Sequence, residues 1–229
     1  ICFKNLDYDQ IQNYKYKLKD IKCSFFIDPE TSNDFEWGSL KRVCEKYGNY
    51  IFFLNDHSYP VVHNWLNIVV QKIKKKSIVG CSSSFSSHFS NSFKRHSVDN
   101  YLQAIIKIII FFFFFPKFPN PHLRTTGFLI YSNDFLHFFK NRNVKSKFGS
   151  LVVESGYKSM TNFFLKKKFN IKVVNNRGKM FDLEKSKFSE TFAYKNQNGV
   201  IISDNQIREY LSFNKKMRQK KNHQVWGSI

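Results

Sequence analysis

Carboxylates are scarce in this chain: 17 Asp and Glu stand against 37 Lys and Arg, a formal charge of +20. An excess of that sign suggests a polyanionic partner, whether nucleic acid, an anionic membrane surface or a phosphorylated ligand. Cysteine is also sparse. Cys2, Cys23, Cys44 and Cys81 are widely spaced, with no C-x-x-C and no paired histidines. That pattern indicates neither a zinc knuckle nor a disulfide framework, and fits reduced, mostly buried thiols in a cytoplasmic protein. No apolar run is long enough to cross a bilayer. The longest, Ala104–Phe115, has twelve residues, contains Lys107 and stops at Pro116. It reads as a core segment, with an interfacial anchor as the alternative and a peripheral membrane contact as an open expectation. Neither an initiator Met nor an internal repeat is present, and the ends read as those of a fragment.

What the chain has in abundance is apolar bulk: 42% hydrophobic residues and 27 Phe over 229 residues, sufficient for the core of a single globular domain. The lysines are scattered. The dense clusters, Lys72–Lys76, Lys166–Lys168 and Lys215–Lys221, fall at the ends of expected helices or in a tail and read as solvated helix ends.

Taken in order, Ile11–Lys22 places Ile11, Tyr14, Leu18 and Ile21 on one helical face. A strand Cys23–Ile27 follows and is closed by Asp28-Pro29. Thr31-Ser32-Asn33-Asp34 offers N-caps for a helix with Trp37, Leu40, Val43, Cys44 and Tyr47 inward, ended by Gly48-Asn49. Next comes Tyr50–Pro60, YIFFLNDHSYP, a buried-strand pattern that stops at Asn55-Asp56-His57-Ser58. In open α/β sheets ligands bind beyond the carboxyl ends of strands, so these polar residues are candidates for a site. On those residues alone a simple turn is the plainer reading.

Further along, Val62–Ile73 reads as an amphipathic helix and Ser77–Gly80 as a strand. The Ser-rich Cys81–His88 is either a ligand-binding or a mobile surface loop. Leu102–Ile110 reads as helix, Pro116–Pro121 as a break, and Phe128–Tyr131 as strand. Lys145–Val153 is expected to be loop or strand, delivering Glu154-Ser155-Gly156. A helix Lys158–Lys168 and a strand Ile171–Val174 follow. Ser203 with Gln206 suggests a capping box for a last helix.

Three of these stretches carry a resemblance. IFFLNDHS, TGFLIYSNDFLHF and VVESGYKSMTNFFLKKKFNIKVV, in this order, resemble the GT-A glycosyltransferases of the large family 2 type, especially bacterial members that build surface polysaccharides, including rhamnan-synthesis-like proteins. The likeness spans roughly Cys23 to Val174. Residues 175–229 would be a C-terminal extension, while PNPHLRTTGFLI and the SETF…Q…DNQ tail look like marks of a narrower subgroup. The resemblance implies an α/β fold, a GT-A-like, Rossmann-related, mostly parallel sheet flanked by helices, here without its N-terminal strand.

It also implies transfer of a sugar from a nucleotide-sugar donor to a glycan or other hydroxyl acceptor, at the cytoplasmic side of the membrane. Asp28 would contact the nucleoside. Asn55, Asp56, His122 and Arg124 would hold the donor diphosphate, Asp56 and His57 a divalent metal (Mn or Mg), and Glu154 would be the general base. Two positions depart from the family pattern: His57 replaces a metal carboxylate, and Ser155 replaces the usual basic Asp. Those departures keep a non-catalytic homologue open. A nucleic-acid-binding module is the other alternative, but the chain has no RNP-like, helix-turn-helix or zinc pattern, so nucleic acid is not expected as partner.

Overall fold

The computed structural model describes residues 1–20, 23–30, 34–93, 101–142 and 144–227. The chain starts with β1 (Cys2–Phe3), α1 (Tyr8–Lys17), β2 (Phe26–Ile27), α2 (Phe35–Tyr47), β3 (Tyr50–Leu54), β4 (Tyr59–Pro60) and α3 (Trp65–Val70). It continues with β5 (Ser77–Gly80), β6 (Ser83–Ser84), α4 (His88–Ser92), α5 (Tyr101–Phe114), β7 (His122–Leu123), β8 (Gly127–Tyr131) and α6 (Ser132–Phe139). The last part holds α7 (Lys147–Ser155), α8 (Met160–Lys166), β9 (Asn170–Val174), β10 (Met180–Asp182), a 3-10 helix (Leu183–Ser189), β11 (Ile202–Ser203), α9 (Asn205–Ser212) and α10 (Lys215–Trp226).

These elements form two compact units, residues 1–49 with 131–150, and residues 50–130 with 151–229. In unit 1, β1 and β2 pair in parallel and α2 packs on α6. Trp37 is fully buried there, stacked near Phe135 and Phe139, with its indole N–H donated to Ser150 Oγ at 2.8 Å. Burying so large a ring is favourable only because its one polar atom finds an acceptor. The expected strand Cys23–Ile27 shrinks to β2, and the first helix starts earlier, capped by Asp7 and Gln10 in a reciprocal box. Ile21, expected on its face, and Thr31–Asn33, expected as caps of α2, lie outside the described residues.

Unit 2 is a mixed α/β sheet of five strands in the order β10-β9-β5-β8-β3. β5 runs parallel to β9, but β8 runs antiparallel to β5, and β10 antiparallel to β9. The expectation of a mostly parallel sheet is therefore corrected to a mixed one. Its core joins Val69, Val79, Leu129, Val174, Ile201 and Ile202. Residues 175–229 contribute strands and a core cluster to this unit.

Three local expectations change. The segment at Lys145–Val153 is mostly helix α7, so tertiary packing overrides the β-branched pair Val152-Val153. The Ser-rich loop is no mobile surface: Ser82, Ser83, Ser84 and Ser87 are buried, and β6 pairs with β7. The apolar α5, expected in the core, leaves Leu102, Ile105, Ile106, Ile109, Phe112 and Phe113 exposed. No described helix is long and apolar enough to cross a membrane.

Candidate functional site

The site starts from how β5 ends. All four residues of β5 are buried, as its continuous apolar run requires, and Gly80 closes it. A Cβ at Gly80 would stand 2.5 Å from Leu123 Cδ2, so the glycine leaves room for the Leu123 side chain where β7 meets the end of the sheet. Ser83 and Ser84 pair with Leu123 and His122, Arg124 N–H donates to Ser82 O at 3.2 Å, and Cys81 N–H donates to Gly127 O at 2.8 Å. His122, Arg124, Thr125 and Thr126 are thereby fixed beyond the carboxyl end of β5, where ligands bind in open α/β sheets.

Opposite them stands Asp204, which ends β11 and caps α9 by accepting from Ile207 N–H at 2.8 Å. The cap is thus Asp204, one residue beyond the expected Ser203. Arg124 Nη2 and Thr126 Oγ1 both donate to Asp204 Oδ2 at 2.6 Å. Burial alone would raise the Asp204 pKa, but the Arg124 charge, the Thr126 hydroxyl and the Ile207 N–H outweigh it and hold the carboxyl below its usual range. The Phe192 ring lies 3.7 Å under the guanidinium and fixes its plane. Arg124 Nη1 and the Ser82 hydroxyl are buried and have no hydrogen-bond partner among the described residues. A buried guanidinium with one unmatched N–H edge is ready to donate to an anion.

Glu154 approaches the same loop from the last turn of α7, where it accepts from Thr125 N–H at 3.2 Å and Thr125 Oγ1 at 3.3 Å. It therefore lies at the carboxyl end of a helix, the opposite of the N-terminal placement that would have explained an acidic residue by the helix dipole. His122 is buried, with Nδ1 2.7 Å from Asn120 O. A carbonyl can only accept, so Nδ1 carries the proton and Nε2 presents a lone pair. Burial pushes the His122 pKa down, and the nearby Glu154 charge pushes it part of the way back up.

The β3 end joins this edge through β4, which pairs with β11. Asn55 Oδ1 accepts from Ser58 Oγ at 2.5 Å, and Ser58 N–H donates to Asn55 O at 3.1 Å, so the turn reading holds for the backbone. Arg208 of α9 donates to His57 O at 3.3 Å and lies over the Tyr59 ring. The side chains of Asp56 and His57 are 82% and 66% exposed, with His57 Nε2 3.6 Å from Asp56 Oδ1.

The side chains gathered here do not by themselves complete a divalent-ion site. Among the described residues no three His, Cys, Asp or Glu come together as a metal set, and the Asn55 oxygen is already taken by Ser58. Asp56 with His57, both exposed, would hold Mn²⁺ or Mg²⁺ only together with substrate phosphates and waters, a ligand set that such ions take.

Asp28 belongs to unit 1. Arg42 Nε and Nη2 donate to its two oxygens at 2.6 Å each, Ser39 Oγ at 2.5 Å and Glu30 N–H at 3.1 Å. Burial would raise its pKa, but Arg42, Ser39 and the Glu30 N–H hold it below the usual carboxylate range. With four donors on two oxygens, Asp28 has its lone pairs occupied within unit 1, which favours a structural role over the expected contact to a nucleoside. The expected residues of unit 2 do share one edge, and the two subgroup stretches meet there: PNPHLRTTGFLI supplies Arg124 and Thr126, and the tail supplies Phe192 and Asp204. Asp204 and Thr125 were not foreseen as site residues; the capping pattern around Ser203 was the only sequence signal for the first. No family model, no curated protein and no solved structure matches the chain.

Proposed function

We propose that unit 2 is the catalytic part of a nucleotide-sugar-dependent glycosyltransferase of GT-A type, acting on a glycan or other hydroxyl acceptor. The observation that carries this reading is a buried guanidinium with an unmatched Nη1 at the carboxyl edge of the sheet, on the same loop that Glu154 contacts. Arg124 Nη1 donates to the diphosphate of the donor, offsetting the charge that develops as the anomeric carbon–oxygen bond to phosphate breaks. Glu154 takes the proton of the acceptor hydroxyl as that oxygen bonds to the anomeric carbon. His122, with its neutral Nε2 lone pair, accepts from a sugar hydroxyl and orients it. The nucleoside diphosphate leaves with the bonding electrons. Asn55, Asp56 and His57 border the donor through the β3 turn, and no step runs through a metal.

The acceptor side of this reading includes an anionic membrane surface. α5 is 14 residues long, about 21 Å, well short of the roughly 30 Å hydrocarbon core, so it lies along an interface and does not cross it. Its exposed Ile and Phe side chains supply the apolar face, and the +20 charge supplies attraction to anionic lipid.

The test is a thermal-stability screen with UDP-, GDP- and dTDP-sugars. A donor present at a hundred times its Kd stabilises by about 2.7 kcal/mol, a readily measured rise in Tm. One nucleotide class stabilising the protein is the expected result; no shift with any of them speaks against the proposal.

A further inference from the structure

The dense basic cluster of the chain's tail is more than a solvated helix end. α10 begins with Lys215 and Lys216, carries Arg218 in its first turn and has no acidic residue there. Positive charge at the N-terminus of a helix opposes its dipole, so the sequence accepts a local cost at this spot. The same turn borders an open cavity of about 870 Å³ whose lining includes Lys187, Lys215, Arg218, Tyr194, Tyr210 and Phe213, and no Asp or Glu. None of the residues around Arg124 and Glu154 lines it.

Lys187 gives a second, independent observation. It is only 7% exposed, yet its ammonium has no carboxylate or hydrogen-bond acceptor among the described residues and lies 4.7 Å from the Tyr194 ring. Burial lowers its pKa, as for a cation partly withdrawn from water without an opposite charge beside it. Arg218 is held in place by its own partners: Nε donates to Phe213 O at 2.9 Å and Nη2 to Leu211 O, which leaves Nη1 without an acceptor among the described residues. Lys195, at the same cavity, is already neutralised by Glu190 at 2.8 Å. Two cations without a carboxylate partner among the described residues, one on a mostly buried side chain and one fixed in plane, thus line a cavity that Tyr194, Tyr210 and Phe213 also line.

We infer that this cavity is a second binding site, for a phosphate-bearing small molecule, with Lys187, Lys215 and Arg218 on the phosphate and Tyr194 and Phe213 against its non-polar part. The volume falls in the range of small-molecule pockets. A diphosphate suits it better than a single phosphate, because three cationic side chains line it. The inference does not depend on the glycosyltransferase reading.

The experiment is calorimetric titration of inorganic pyrophosphate into the full chain at low salt, beside inorganic phosphate and a single-stranded oligonucleotide. Wild-type protein is expected to bind pyrophosphate more tightly than phosphate. Lys187→Met keeps the buried stem and should weaken pyrophosphate by about tenfold or more, the worth of one charge-assisted hydrogen bond. Lys215→Glu alters an exposed helix position that cannot cost the fold much, and should weaken it as well, so the test survives if Lys187→Met fails to fold. Absence of pyrophosphate binding, affinity unchanged in Lys215→Glu, or binding of the oligonucleotide alone would overturn the inference.

Discussion

Replacing Arg42 by Met tests the reassignment of Asp28 most severely. Arg42 holds Asp28 through two hydrogen bonds of 2.6 Å and Asp34 through a third. The Asp28 side chain is fully buried, that of Asp34 is 10% exposed, and Lys4 also pairs with Asp34. Met preserves most of the apolar stem, so the loss is that of the charge. Lys4 still compensates Asp34, which leaves Asp28 as the group stranded without its cation. Removing one partner of a buried pair costs about 3–5 kcal/mol, a large part of the roughly 5–15 kcal/mol that holds a folded domain. For a chain of this length each kcal/mol moves Tm by about 2–4 °C, so a fall of roughly 10 °C is expected. Asp28→Asn added to Arg42→Met removes the stranded charge and should recover much of that loss. The assay is thermal unfolding with hydrogen exchange followed over α2. A Tm within a degree or two of wild type would refute the structural role, and so would nucleotide binding lost in a folded Asp28→Asn protein.

Other outcomes follow from single observations. His122 is buried with a lowered pKa, so the unfolded chain takes up its proton first and stability is lost as pH falls below about 6.5, the ordinary histidine value. The depressed Asp28, Asp34 and Asp204 add a second loss as pH falls below about 4, and His122→Gln should remove only the first limb of the unfolding profile. Burial pushes Cys44 up to about 12 and Cys81 higher still, so in a folded sample N-ethylmaleimide should label Cys2 and Cys23 well before them, as peptide mass spectrometry would show. At Gly199 an added Cβ would fall 1.9 Å from Ser189 O, a backbone atom that cannot step aside, so Gly199→Ala should lower Tm by several degrees. Ile106→Asp with Phe113→Asp, both at exposed α5 positions, should abolish co-sedimentation with anionic vesicles while leaving Tm nearly unchanged.

Much of unit 2 is legible in the sequence because its signals are local. The apolar runs at Tyr50–Leu54, Ser77–Gly80 and Asn170–Val174 read as strands, and Trp65–Val70 carries helical spacing; only the burial expected of the first is corrected, because β3 is an edge strand that buries Phe53 and leaves Tyr50 and Leu54 exposed. What the sequence hides is partnership. Nothing local marks Asp28 as held by Arg42, fourteen residues on across a loop and a helix, or Arg124 as paired with Asp204 at a separation of 80. The burial of the Ser-rich loop depends likewise on β7, which arrives forty residues later in the chain. Strand direction is equally silent, since an apolar run reads the same in either orientation; hence the antiparallel β8 was not foreseen.

The central claim, that Glu154 and the Arg124 edge catalyse sugar transfer, is tested most directly by sugar release from the nucleotide sugar that stabilises the protein, measured for wild type and Glu154→Gln alongside the Kd for that donor. Glu154 contacts Thr125 only through weak hydrogen bonds, so Gln preserves the local packing. The account predicts unchanged donor affinity with turnover reduced on the order of 10²–10⁴, as loss of a general base requires. Turnover near that of wild type in Glu154→Gln would contradict it.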